Sequence, residues 1–306
     1  MQETEKNLLN TIAGIRGFQP GTAFNLRQNG LGVERHSTSQ VQIKTKTDQP
    51  GIDIMIKAHT AAEEVHIPVI LTESGIKDDV YNDFYIGEGA NVTIIAGCGI
   101  HNDGCETSQH NGIHTFHIGK GAHVTYVEKH YGEGNGSGER IMNPTTVVHM
   151  DEGSYMEMDM VQIKGVDSTK RNTECFLQAD AKLVISERLL THGKQQALSD
   201  VKVSLNGDRS SVRIISRSVG KDQSVQRFHP IAIGNAMCRA HIQCDSILMD
   251  HAKISSVPEI GANHVEAQIV HEAAIGKINS DQLMKLQTFG LSEEEAEAVI
   301  VEGFLK

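Results

Sequence analysis

The chain has 306 residues, 39 acidic against 28 basic, for a formal net charge of -11. That length holds one large domain or two ordinary ones and buries a core without staples. The acidic balance, with no run of Lys and Arg, excludes a surface built for nucleic acid or anionic lipid.

The opening Met1-Gln2-Glu3-Thr4-Glu5-Lys6 is polar, and no apolar run approaches the ~20 residues that cross a bilayer. The expected location is the cytoplasm, with no membrane partner. Five cysteines, Cys98, Cys105, Cys175, Cys238 and Cys244, are odd in number and follow no secretory signal, so they are expected as thiols. Cys175 and Cys238 stand in strand-like contexts and read as core.

In chain order, Leu8, Leu9, Ile12 and Ile15 share one face of a short helix, with Gly17 and Pro20 as stop signals. From about residue 40 the apolar period becomes two: Val41, Ile43 and Thr45, then Ile52, Ile54 and Ile56. Strands are expected to persist from there to about residue 270. The end returns to helices. Ser280 is the expected N-cap of a short helix that stops near Gly290, and Ser292-Glu293-Glu294-Glu295 is a capping box launching a second, closed by Gly303. The expected divisions are a helical lead-in over 1–40, a β core over 41–275 and a helical segment over 276–306.

Within the β region a repeat stands out. Ile86-Gly87-Glu88-Gly89-Ala90-Asn91-Val92-Thr93-Ile94 returns as Ile118-Gly119-Lys120-Gly121-Ala122-His123-Val124-Thr125-Tyr126, and more weakly as Met150 to Met158. The same small-x-apolar-x-apolar signature follows at Ala181, Ser210 and Ala252 with irregular spacing. A glycine turn feeding a short strand cannot bury its apolar face alone, whereas stacked copies can, which is the logic of a β-solenoid. An antiparallel sandwich or jelly roll also yields short strands with glycine turns, and the periodicity favours the solenoid. No glycine-rich phosphate loop follows any strand, so hydride or phosphoryl transfer by this chain is not expected.

Three stretches offer chemistry. Cys98-Gly99-Ile100-His101-Asn102-Asp103-Gly104-Cys105, with His110, His114 and His117 after it, is dense in thiols and imidazoles but lacks zinc-finger spacing. It reads as a metal-binding storage or sensor site, or as a loop beside a buried Cys98. Arg188, His192 and Lys194 read as a polar site or a solvated strand end. Cys244, with His271 and Glu272 downstream, supplies soft and borderline ligands for iron, zinc or a sulfide-bridged cluster, or else a small buried hydrophobe and two surface residues. A β-helix enzyme acting on polysaccharide is a further alternative, opposed by 4% aromatic content with no tryptophan.

Gln243-Cys244-Asp245-Ser246, then His271-Glu272-Ala273, Ile278-x-x-x-Gln282-Leu283, Gly290-Leu291-x-Glu293 and Gly303-Phe304, resemble the SufB/SufD family. These are scaffold subunits of SUF iron–sulfur cluster assembly, and the likeness covers roughly residues 90 to 306. It implies a right-handed parallel β-helix and a C-terminal helical segment that docks an ABC-type ATPase, SufC. It also implies a pair of scaffold subunits with a transient iron–sulfur cluster at their interface. Carried over by motif, the cluster residues are Cys244, His271 and Glu272. The chain lacks most of the amino-terminal helical domain of larger members, so the resemblance is to a minimal form that homodimerises. It carries His149-Met150-Asp151-Glu152-Gly153 where SufB itself has a core cysteine. The resemblance leaves the route of sulfur entry open: Cys98, which matches the family's Gly-Cys segment, or Cys105 is the candidate thiol for relay from a donor protein. ATP would act only through the partner, apo-proteins would accept the cluster, and the chain itself would not be an enzyme.

Overall fold

The computed structural model describes residues 2–14 and 21–306, so Ile15, Gly17 and Pro20 lie outside the described residues. Helix α1 (Glu3–Ala13) opens with a reciprocal cap between Gln2 and Glu5 and ends on Gly14 at φ +70°. Its apolar face, Leu8, Leu9 and Ile12, packs with Leu26, Ile70, Ile95 and Tyr131. The seat is made by two glycines on the strand Asn91–His101. A Cβ at Gly97 would fall 2.5 Å from the Ile12 carbonyl oxygen, and one at Gly99 would fall 2.6 Å from Leu8 Cγ.

Strands begin at Ala23, earlier than the change of period suggested. Ala23–Gln28 and Leu31–His36 form an antiparallel hairpin with a bulge after Leu26. Its two-residue turn, Asn29-Gly30, has both φ angles positive, the geometry that matches strand twist and that Asn-Gly adopts most readily. Val41–Thr45 and Gly51–Ile56 form a second antiparallel pair. Beyond these, every described strand pairing is parallel. The result is a β-helix of about 8 turns, walled by two sheets of 11 strands each.

The coil length explains the repeat. Asn91 lies beside His123 and His123 beside Tyr155, and side chains joined across these coils are 32 residues apart. Later coils shorten to between 27 and 29. Long coils carry the loop 102–107, which stacks on 134–139. Gly134, Gly136 and Gly138 press against the backbone of Asn102, Gly104 and Glu106 with no room for a Cβ. Five successive corners into the first sheet each place one left-handed residue at the same point. Gly89, Gly121 and Gly153 supply it, and then Asp180 at φ +58° and Arg209 at φ +60° take the same place. On the opposite corner Asp222 Oδ2 accepts from the Gly193 N–H, and Asp250 Oδ2 from the Asp222 N–H. Asp and Asn tolerate this conformation because the short side chain bonds locally.

Alternate residues face the bore. Ile94, Tyr126, Met158, Ile185, Ile214 and Ile242 stack in one fully buried row. Beside it the bore is charged. Arg171 Nη1 donates to Glu128 Oε1 at 2.6 Å and its Nε lies 3.4 Å from Glu187 Oε1. The Tyr126 hydroxyl donates to Glu128 Oε2 at 2.8 Å, and Ser199 donates to Glu187 at 2.9 Å. Burial opposes the charge on Glu128, but Arg171, the neighbouring His130 and His114 and the Tyr126 hydroxyl together outweigh it and hold the carboxyl at about 2. At Glu187 burial wins and the carboxyl is pushed up despite Arg171. Burial pushes His114 and His130 down to about 4.

The last coil, Lys253–Ser256, Glu259–Ala262 and Gln268–Gly276, is open on its far side. Helix α2 (Ser280–Thr288) follows. Its N-cap is Asn279, whose side chain accepts from the Asp281 N–H, rather than Ser280. Helix α3 (Glu293–Leu305) begins with the Ser292/Glu295 capping box and runs through Gly303 instead of ending there. Ala296 and Val301 are buried while α2 buries nothing.

Two outcomes are expected. Arg171→Met strands the Glu128 carboxylate in the bore and should cost about 3–5 kcal/mol in chemical denaturation, with part recovered in the Arg171→Met/Glu128→Gln double variant. His114 and His130 bind protons near 6.5 when unfolded but only near 4 when folded, so the unfolded state takes up more protons in between. Stability should therefore fall as pH drops from about 6.5 to 4, with a slope of about two protons in denaturation midpoints followed against pH.

Candidate functional site

The strand Arg239–Leu248 turns Ala240, Ile242, Cys244 and Ser246 into the bore. The next strand, Gln268–Gly276, stacks on it with Ile242 beside His271, Gln243 beside Glu272 and Cys244 beside Ala273. Side chains alternate between faces along a strand, so His271 shares the bore with Cys244. Cys244 Sγ lies 3.5 Å from His271 Nε2. Glu272 points to the outer face, where its carboxylate accepts from His241 Nε2 at 3.0 Å. The structure thus joins Cys244 with His271 and places Glu272 on the other side of the sheet.

Around the thiol the bore is lined with hydroxyls. Ser216 is the neighbour of Cys244 on the preceding coil, Ser218 and Ser246 share a hydrogen bond of 2.9 Å, and Ser256 is close by. Cys244, Ser216, Ser218, Ser256, Gln226 and Glu187 border one cavity of about 10 Å³, room for about one water. Burial pushes the Cys244 thiol up, with the Ser256 hydroxyl pulling the other way. Closed in this form, the site holds a protonated thiol next to an imidazole. Reading the sequence missed these serines. Aligning the later coils at their shorter repeat would have put Ser216 in register with Cys244.

The Cys98 to His117 stretch is divided by the same alternation. Cys98 faces the bore, and burial raises its thiol well above the ordinary range. Cys105 is exposed on the loop 102–107. His101 faces out between Glu133 at 3.1 Å and Asp103 at 2.9 Å. Burial lowers its affinity for a proton, but the two carboxylates more than reverse this. His110 and His114 face the bore. His117 is outside, stacked between Tyr85 at 5.0 Å and His149 at 5.4 Å. Among the described residues no three His, Cys, Asp or Glu side chains come together to hold a metal ion. Arg188 pairs with Asp159 on the outer face, and Cys175 and Cys238 are core.

The family model for the SUF system FeS cluster assembly, SufBD core domain, matches residues 82–304. An iron–sulfur cluster assembly SufBD family protein of Methanocaldococcus jannaschii is 28% identical over 254 residues, covering 82% of this chain and 79% of that protein. One from Methanothermobacter thermautotrophicus is 28% identical over 78% of this chain and 57% of its own length. One from Archaeoglobus fulgidus is 26% identical over 79% of this chain and 65% of its own. The chain therefore spans less than two thirds of these last two relatives.

The placement of the thiols has a direct readout. A water-soluble disulfide reagent should modify one thiol per native chain quickly, Cys105, and lose that fast phase in Cys105→Ser. The buried Cys98, Cys175, Cys238 and Cys244 should react only after denaturant is added.

Proposed function

The chain belongs to the SUF-system SufBD core family, and on that premise we propose that it is a scaffold on which an iron–sulfur cluster is built at the junction of two copies. The observation that carries this reading is the pairing of Cys244 with His271 across the last two coils of the β-helix, His271 lying on the coil that has no neighbour on its far side. Its edges offer unpaired backbone groups, and Val257, Ile260, Val265, Val270 and Ile275 are exposed around them. A second copy meeting this end would satisfy both, since an open edge is a template for further pairing.

In this reading iron and sulfide are cargo. Cys244 as thiolate and His271 as neutral imidazole are the bore-side ligands, and Glu272 serves from the outer face once the last coil shifts. A mixed set of thiolate, imidazole and carboxylate holds iron less firmly than four thiolates, which suits a cluster that must leave for apo-protein acceptors. Because the thiol is buried and protonated in the closed form, loading needs the last coil to open and the proton to go.

Opening is assigned to an ABC-type ATPase of the SufC kind. Helices α2 and α3 leave Met284 and Val299 exposed, with Phe289 exposed at the end of α2, an apolar surface on which that ATPase would dock. The chain itself performs no turnover, and ATP enters only through that partner. A sulfur donor protein reaches Cys105 on the surface, with Cys98 in the bore as the inner thiol. The whole assembly is placed in the cytoplasm. No helix among the described residues is long and apolar enough to cross a membrane.

Anaerobic loading with iron and sulfide tests this reading. Wild type should develop broad sulfide-to-iron absorbance. Cys244→Ser should lose at least 90% of it, and His271→Ala most of it, on the order of the 10-fold or greater losses seen when a metal ligand's support is removed. Equal loading of wild type and Cys244→Ser would overturn it.

A further inference from the structure

The bore of the earlier coils holds imidazoles that the cluster site does not use, two of them on one strand. The strand Ser108–Ile118 turns His110, Gly112 and His114 inward, all three buried. His110 Nδ1 lies 3.1 Å from Asp78 Oδ2. That carboxylate also accepts from Arg27 Nε at 2.9 Å and Nη2 at 2.5 Å. Burial works against its charge, but Arg27 and His110 overcome this and keep it ionised. A carboxylate only accepts, so Nδ1 carries the proton of the neutral ring and Nε2 its lone pair. His110 is 3% exposed, and its Nε2 is buried without a hydrogen-bond partner.

His114 is arranged in the same way. Its Nδ1 lies 3.0 Å from the Tyr126 oxygen, whose only proton goes to Glu128. The oxygen must therefore accept from Nδ1–H, and Nε2 again holds the lone pair. Asn82 Nδ2 donates to this Nε2 in a long hydrogen bond of 3.4 Å. Between the two rings stands Gly112. A Cβ there would lie 3.1 Å from His114 Nε2 and 3.4 Å from His110 Nε2. Gly112 thus leaves the space between the two Nε2 atoms without a side chain; His110 Nε2 has no hydrogen-bond partner there, and an ion held by both rings would replace the long Asn82 contact on His114.

We propose that His110 Nε2 and His114 Nε2 bind a late first-row divalent metal ion in the bore above Gly112. Imidazole is the fitting ligand for such ions. Asp78 behind His110 and the Tyr126–Glu128 pair behind His114 are the oriented outer partners that fix the tautomer of metal-binding histidines. No third protein ligand is present among the described residues, so the remaining positions belong to water. This site is separate from Cys244, which is on the other sheet: the strand Asn91–His101 that leads into the His110 strand lies five strands from the strand of Cys244, about 24 Å at ~4.8 Å per strand.

The test uses the full chain carrying Cys244→Ser, produced in cobalt-supplemented medium so that the ion can enter during folding. Bound cobalt is counted by elemental analysis and its ligand field read by visible absorbance. The proposal expects one cobalt per chain, with no thiolate-to-metal charge-transfer band. Gly112→Ala, which adds one methyl and keeps both imidazoles, and His110→Gln should each retain at least tenfold less cobalt while keeping the wild-type circular dichroism. The site is overturned if the folded Cys244→Ser protein retains no cobalt. It is equally overturned if Gly112→Ala and His110→Gln, both folded, retain as much as the parent, or if a thiolate band marks the bound ion. None of these outcomes depends on whether iron and sulfide load at Cys244.

Discussion

A parallel coil satisfies its backbone only through the coils on either side. In-register stacking therefore repeats at every level of this molecule: left-handed corners recur at the same place over five successive turns, and bore-facing residues line up in rows. The same constraint makes the two ends unequal. The amino-terminal end is closed by a bulged hairpin, a second antiparallel pair and α1 seated on Gly97 and Gly99, devices that blunt an edge strand. The other end is closed by nothing comparable among the described residues. His271 sits on the terminal coil and Cys244 on the one before it. The Cys244–His271 pair is thus found next to the end where the architecture leaves hydrogen-bonding capacity unspent.

Row stacking also shapes the interior. Most of the bore is apolar, yet Glu128, Arg171 and Glu187 place charge there, and Asp78, His110, His114 and His130 extend the polar zone toward the amino terminus. Buried ion pairs are weak evidence of stability, since an apolar set of the same volume often does as well. Their value lies in what they orient. Arg171 fixes Glu128, Glu128 takes the Tyr126 proton, and Tyr126 then sets the tautomer of His114. At the far end the polar lining becomes serine, which adds no charge around Cys244.

How much of this was legible in the sequence follows from what each position signals. The solenoid was visible because Gly89, Gly121 and Gly153 mark three corners at one spacing. The later corners use Asp180 and Arg209, which carry no glycine signal, and shorter loops changed the interval, so the repeat looked irregular there. The hairpin at Asn29-Gly30 carried its own turn signature but was read as part of the lead-in. Glu128 and Arg171 look like solvated residues until the alternation with Val124 and Tyr126 is followed along the strand. At the site, motif resemblance pointed to Cys244, His271 and Glu272 together. Only the pairing register separates them, because adjacent residues 271 and 272 must face opposite sides of the sheet. The dense stretch from Cys98 to His117 dissolved for the same reason, leaving His110 and His114 as its one converging pair.

The central claim is that the cluster belongs to two copies at once, across the open last coil. Native mass spectrometry of the protein after anaerobic loading with iron and sulfide measures this directly. The account expects the cluster mass on the dimer, one cluster for two chains, with monomers in the same spectrum bare. Monomers that carry a complete cluster, or dimers that carry two, would contradict it.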